Sequence, residues 1–436
     1  MMNILVSIIF LAVSLLPLAA VAQETAISGE LIKKEDVLTL DKCIDIALQQ
    51  QPTIVSAQYN IRASESRVGE AQSAYYPQLS ATGQYSRIKP LPGTTISGNT
   101  NAIDQYSTVA SLTQMIYDFG KTPTQVRIQK LNLNASRSDF DTTRAQTILN
   151  VKQAYYGVLQ TKRNLDVAKE TVAQFAQHLD QAKGFYEVGT HPKFDVTKAE
   201  VDLSNAKLNM INAENAFRIA KATLNNAMGL PNAPEYSVED SLSYAKKEIT
   251  FNQAVETAFK NRPEILATDL RVKVAEESIG FARKGYFPVI SGNAAYTRQS
   301  TADPSLRYEG WNAGVVVTLP IFSGFLTHHQ VNESIATFNA AKANEDALKL
   351  SITLEVQQSL LNLRAASERI PTAELGVQQA TENLDIANGR YAAGVGNPIE
   401  VTDAQVSYTN SKTAYTQALY DYNVAAANLD KAMGVR

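Results

Sequence analysis

The chain has one cysteine in 436 residues, Cys43, so no intrachain disulfide can staple the fold. Cys43 lies far beyond the first 22 residues and is no lipid-attachment point; it reads as a small buried residue of the first helix. Histidine is nearly as scarce. His328 and His329 are adjacent rather than four apart, so one helical face cannot present both to a metal, and His178 and His191 stand singly. Phosphate loops, GxSxG and HExxH are missing, so neither an enzyme nor a cofactor is expected. Charge of one sign is missing too: 40 basic against 43 acidic residues leave no field to draw nucleic acid. Beyond residue 22 no apolar run approaches the ~18 residues of a membrane helix.

One short apolar run is present. Ile4 to Leu18 is apolar but for two serines and Pro17, and Ala20-Val21-Ala22 precedes Gln23. That pattern predicts a cleaved signal peptide over residues 1–22. The run has no Lys or Arg before it, but its length and Pro17 disfavour an uncleaved anchor.

The rest is a duplication. LTLDKCIDIALQQQP (Leu38 to Pro52) aligns with ITFNQAVETAFKNRP (Ile249 to Pro263), and YYPQLSATGQYSR with YFPVISGNAAYTR, at an offset of 211. Across one loop the offset drops to 205 and stays there to NNAMGL over DKAMGV. Two repeats, 38–230 and 249–435, fill the chain after the signal.

Each repeat changes period twice. A helix of about twenty residues stops at Tyr76-Pro77 or Phe287-Pro288, because proline and its predecessor disfavour helix. Period-two alternation follows, predicting strands over about 77–87, 106–117, 288–298 and 309–321. Leu79, Ala81, Gly83 and Tyr85 share one face; Trp311, Ala313, Val315, Val317, Leu319 and Ile321 share another. Then a helical pattern of roughly 65 residues, about 100 Å long, shows a 3-4 stepped seam from Ile148 to Tyr186. Pro371 is expected to kink its counterpart. A bend and a second stepped helix close each repeat.

Strands with one apolar face and aromatics near their ends (Tyr85, Tyr106, Tyr296 and Trp311) fit an interfacial girdle of membrane β-structure. A soluble sheet packed on helices is the rival. Four strands cannot close alone in lipid, and the smallest such barrels have eight, so the membrane reading requires a dimer or a trimer. Alanine-rich seams suit a thin helical wall around water, with a solid bundle as the alternative.

Two bends share one motif. FYEVGTHPKFDVTKAE and RYAAGVGNPIEVTDAQ match as Y-x-x-G-x-x-x-x-x-[DE]-V-T-x-A. With the doubled plan and LPIFSG leaving the last strand, this resembles the outer membrane factor (TolC-like) family of efflux and secretion ducts. The resemblance implies a fold that is mainly α with membrane β: a homotrimer whose twelve-stranded outer-membrane barrel continues as a twelve-helix periplasmic tunnel. It also implies docking on a periplasmic adaptor and an inner-membrane pump of RND, ABC or MFS type. The bends, about 187–195 and 392–400, become adaptor-docking hairpin tips marked by Gly189, Pro192, Gly394 and Pro398. Acids one turn apart that ring the family's pore correspond to Glu400 and Asp403, and its gate latch to Tyr391 and Asp195. A basic residue that supports the latch in some members is Gly396 here, leaving Arg390 as the nearest substitute. A periplasmic coiled-coil adaptor or a structural coiled coil without a barrel is the alternative; neither would be expected to carry two strand pairs.

Overall fold

A computed structural model describes residues 32, 35–89, 102–301 and 307–435. The expected signal peptide, 1–22, lies outside the described residues, as do 90–101 and 302–306 within the two strand-linking loops. After the two-residue strand β1 (Val37–Leu38), Thr39 starts helix α1 (Leu40–Gln50) by accepting a hydrogen bond from the Lys42 amide at 3.2 Å. Helix α2 (Pro52–Gln72) begins on a proline, whose missing N–H is no loss in a first turn. Strands β2 (Gln78–Ile88) and β3 (Ile103–Tyr117) follow, then α3 (Lys121–Glu187) and α4 (Lys193–Met228). Strand β4 (Ser237–Val238) pairs in parallel with β1 and joins the copies. The second repeat supplies α5 (Phe251–Asn261), α6 (Pro263–Arg283), β5 (Val289–Thr301), β6 (Arg307–Thr318), α7 (Leu326–Ala392) and α8 (Pro398–Ala432).

The four long strands make one antiparallel sheet in the order β2-β3-β5-β6. One bulge near Met115 bends β3 where it leaves for α3. β6 ends at Thr318, short of the expected Ile321, because Pro320 cannot donate to the ladder. Its counterpart in β3 is Met115, and that strand runs on to Tyr117.

Helices α3 and α7 each have 67 residues, about 100 Å of rise. Towards the bends the extensive packing runs α4 on α3, α3 on α8 and α8 on α7; towards the sheet it runs α2 on α3, α3 on α6 and α6 on α7. The helices therefore stand four abreast in a single layer, and the solid-bundle alternative falls. A helix inside a row has a neighbour on each side and needs two seams, where the periodicity predicted one. The second seam is polar. Thr171 bonds Thr409 at 3.0 Å, and Glu170 accepts from Tyr408 and Lys412 at 2.8 Å each. Pro371 sits on an exposed turn inside one unbroken α7, held beside it by buried Ile370 and Ala366. The helix thus continues through Pro371, whose missing N–H falls on a solvent-facing turn.

Halfway along, α4 ends against the start of α2, and α8 against the start of α6. Gly229 and Gly434 turn left-handed there, with φ of 76° and 68°. A Cβ on Gly229 would meet the Gln50 carbonyl oxygen at 2.8 Å, and one on Gly434 the Asn261 carbonyl carbon at 2.8 Å. A belt of α1, α5, β1 and β4 thickens the wall at this level and buries Ile46, Tyr155, Leu224 and Leu429. Tyr155 donates to the Leu38 and Glu239 carbonyls, tying the belt to α3. Cys43 is fully buried here, its thiol pKa pushed up to about 12 by burial.

The two joints use different chemistry. In the first, neutral Gln51 donates to the exposed carbonyls of Asn226 and Ala227 at the end of α4. In the second, buried Arg262 reaches Glu264 at 3.0 Å and Glu355 at 2.5 Å, and Lys431 joins Glu355 at 2.9 Å. The equivalents of Glu264, Glu355 and Lys431 in the first repeat are Thr53, Asn150 and Asn226. Burial alone would raise both carboxyl pKa values, but hydrogen bonds from Arg262, and from Lys431 to Glu355, hold them below the usual carboxylate range.

Two outcomes follow from the joints. Gly394→Ala, with open space around it, is expected to cost the about 1–2 kcal/mol of a left-handed alanine. Gly229→Ala and Gly434→Ala are expected to cost clearly more in denaturant unfolding, because backbone must also move. The lowered carboxyl values mean the ion cluster stabilises above the unfolded carboxylate pKa and fades as pH falls through the folded one. Glu355→Gln is expected to lower stability by about 1 kcal/mol at neutral pH, modest because Glu355 stays 36 % exposed, with the gap closing in acid melts.

Candidate functional site

The sheet has two contrasting faces. One carries Leu79, Ala81, Ala110, Leu112, Ile290, Ala294, Val315 and Val317, with Tyr85 opposite Tyr106 and Tyr296 opposite Trp311. The other is more polar, carrying Ser80, Thr82, Gln84, Ser107, Ser111, Ser291, Asn293, Gln299 and Asn312 beside Val109, Val289, Val316 and Tyr308, with no Asp, Glu, Lys or Arg among the described strand residues. Nothing among the described residues covers the apolar face: Leu79 is 76 % and Trp311 79 % exposed. The edge strands β2 and β6 have no strand on their outer side among the described residues. No described helix is long and apolar enough to cross a membrane.

At the far end of the helices the chain makes two matched bends. Gly189 and Gly394 adopt φ of 78° and 72°. The amides beyond them bond back to the last turns, Thr190 to Phe185 at 3.0 Å and Val395 to Arg390 at 3.1 Å, which satisfies carbonyls the helices leave open. Pro192 is the N-cap residue of α4, and Pro398 is the first residue of α8 after Asn397, whose side chain accepts from the Ile399 amide at 2.9 Å. Asp195 and Glu400 occupy the first turns, where helix amides favour negative charge. Glu400 and Asp403 are both exposed, one turn apart on α8.

The interior of the tips is aromatic. Tyr391 is fully buried, its ring 4.8 Å from His178, 5.5 Å from Phe185 and 5.8 Å from His191. Its hydroxyl has no hydrogen-bond partner. Asp195 is close enough to push the Tyr391 pKa up, second to burial, but its carboxylate is held by His191 Nδ1 at 2.9 Å. Arg390 does not join this group; it faces Glu400 of its own hairpin at 3.4 Å. The missing basic residue has a steric reason, since a Cβ on Gly396 would meet the Tyr391 amide nitrogen at 2.7 Å. The direct bond between the two hairpins here is one the sequence did not suggest: Thr402 donates to Asp202 at 3.0 Å, and Lys198 holds the same carboxylate at 2.6 Å. Threonine and aspartate on helices gave no periodic signal to find it by.

The sequence model of the family described as Outer membrane efflux protein matches residues 43–230 and 254–435, nearly all of both repeats. The chain belongs to that family. It is 25 % identical over 392 residues to the outer membrane protein TolC of Escherichia coli, covering 85 % of this chain and 77 % of TolC. With the outer membrane efflux protein BepC of Brucella suis it shares 24 % over 425 residues, 95 % of this chain and 90 % of BepC. The CmeC outer membrane channel of Campylobacter jejuni superposes with a TM-score of 0.76 at 20 % identity, over 91 % of this chain and 85 % of CmeC. These findings decide against the adaptor and the barrel-free coiled coil.

His178 gives the tip a pH dependence. Burial holds its imidazole below the ordinary value, Asp202 and Asp195 opposing and Lys198 adding to the effect. The tip is therefore fully stable above the unfolded imidazole pKa and loosens as pH falls below it. Amide protection factors over the last turns of α3, taken relative to the intrinsic exchange rate at each pH, are expected to fall as pH drops below the ordinary imidazole range, and His178→Gln to flatten that response. Equal pH profiles for both proteins would exclude it.

Proposed function

We propose that this protein is the outer-membrane exit duct of a tripartite efflux or type I secretion system. Three copies close their sheets into a twelve-stranded barrel, and their rows of four helices form a twelve-helix tunnel across the periplasm. The observation that carries this reading is the sheet itself: one apolar face, one neutral polar face, and two open edges that lipid does not tolerate. The row of helices supports it, for its outer members also present apolar side chains to no partner. Leu350, Leu354 and Leu361 of α7 and Leu208, Ile211 and Ile219 of α4 are all more than half exposed.

The duct is passive and catalyses no reaction. The bends form its periplasmic end, where a periplasmic adaptor docks on the tips and an inner-membrane pump of RND, ABC or MFS type drives transport. Exposed Val188, Phe194 and Val395 suit an apolar docking contact. Glu400 and Asp403 from three copies concentrate carboxylates at the narrow end, where they bind multivalent cations and select against anions. The latch between hairpins then rests on the Tyr391 ring, packed on Phe185 and on His191, which in turn holds Asp195, rather than on a Tyr391–Asp195 hydrogen bond.

Planar bilayers test this. Purified protein is expected to run as a heat-modifiable trimer from outer-membrane fractions and to form channels blocked by multivalent cations. Glu400→Gln with Asp403→Asn is expected to weaken the block by about tenfold or more. Tyr391→Phe with Asp195→Ala is expected to raise single-channel conductance, and an unchanged value would remove the latch. A monomer that stays in solution without detergent would end the duct reading.

A further inference from the structure

Every acid and base on the described strands lies on the apolar face. Registry decides this: Arg87 sits opposite Asp104, Arg298 opposite Glu309, and Arg307 opposite Ser300, each in phase with the tyrosines and Trp311 below. They gather at the strand ends farthest from the helices, one or two positions beyond the aromatic band. On the exit-duct reading this is the lipid-facing wall. An arginine deep in hydrocarbon is costly there, while near the interface the cost falls towards zero. The five charges therefore mark the headgroup level of the outer leaflet.

Their arrangement favours one sign. Three arginines stand against two acids. The acids are drawn down to the sheet, Asp104 accepting from the Tyr85 hydroxyl at 3.0 Å and Glu309 from Tyr296 at 3.0 Å. The arginines reach them through Nε, at 3.6 Å for Arg87, 3.6 Å for Arg298 and 3.0 Å for Arg307. Their side chains remain 66 %, 40 % and 38 % exposed. Among the described residues the guanidinium ends thus stay available to an anion that accepts at two points. Duplication repeats the unit, Tyr85, Arg87 and Asp104 matching Tyr296, Arg298 and Glu309, so a closed barrel carries it as a continuous belt.

We propose that this belt binds the phosphate-bearing headgroup of an outer-leaflet lipid, with Arg87, Arg298 and Arg307 as its ligands. Guanidinium matches phosphate in a two-point, charge-assisted geometry, and the aromatic band below packs on the first carbons of the chains. The partner is a lipid rather than free phosphate, because the site faces sideways into the membrane and adjoins an apolar wall. The proposal rests on the barrel reading.

The chain has one tryptophan, Trp311, two residues from Glu309 on the same face, so its emission reports the site directly. The purified trimer is titrated with bisphosphorylated lipid A, with the same lipid after phosphate removal, and with inorganic phosphate. The phosphorylated lipid is expected to bind at least about tenfold more tightly than the dephosphorylated one, the scale of losing charge-assisted hydrogen bonds. Inorganic phosphate is expected to leave the emission unchanged. The triple variant Arg87→Gln, Arg298→Gln, Arg307→Gln, checked as a heat-modifiable trimer, is expected to lose the preference. Equal binding of both lipids, a preference that survives in the triple variant, or an equal response to inorganic phosphate would overturn the proposal. A trimer without lipid preference defeats this inference alone; failure to trimerise defeats the duct reading as well.

Discussion

A backbone amide or carbonyl at the edge of a sheet needs a partner, and hydrocarbon provides none. That demand organises this protein. Its sheet has four strands, too few to curl back on themselves, with open edges at β2 and β6. Its helices have the same incompleteness in another form, a row four abreast with apolar side chains at both outer flanks. Neither half is finished within one chain. On the exit-duct reading, identical copies side by side would supply strand to strand and helix to helix with one operation, so a single symmetric assembly would resolve both.

Duplication gives the row its repeated plan, yet the copies have parted at the joints and at the bends. At the joints, a glutamine amide in one repeat is replaced by an arginine with two glutamates and a lysine in the other. One joint is neutral and indifferent to pH, the other ionic. At the bends, His191 stands where the other repeat has Gly396, so only the first hairpin can clamp its helix-start acid with an imidazole. Two hairpins of one shape thereby hold their helix-start acids by different groups, His191 on Asp195 and Arg390 on Glu400.

Much of this was legible in one dimension. Proline after a twenty-residue helix, alternation over a dozen residues, a glycine before a helix-start acid: each is a local rule, and local rules act before the chain has any neighbours. The doubled offset made each reading twice testable. What periodicity missed was polar. Glu170 with Tyr408 and Lys412, Thr171 with Thr409, and Asp202 with Thr402 form the second seam and the link between hairpins. Such pairs join residues some 200 or more positions apart, and hydrophobic spacing is blind to them.

The amino-acid order by itself determined the elements, their duplication and their apolar faces, since these follow from dihedral preference and side-chain period. The tertiary structure decided which side chains meet: that the helices line up as a wall with two seams each, that Asp195 turns to His191, and that Arg390 turns to Glu400. Contact between distant segments depends on register and rotation of whole helices, quantities set by the sum of many packing interactions and carried by no single stretch of sequence.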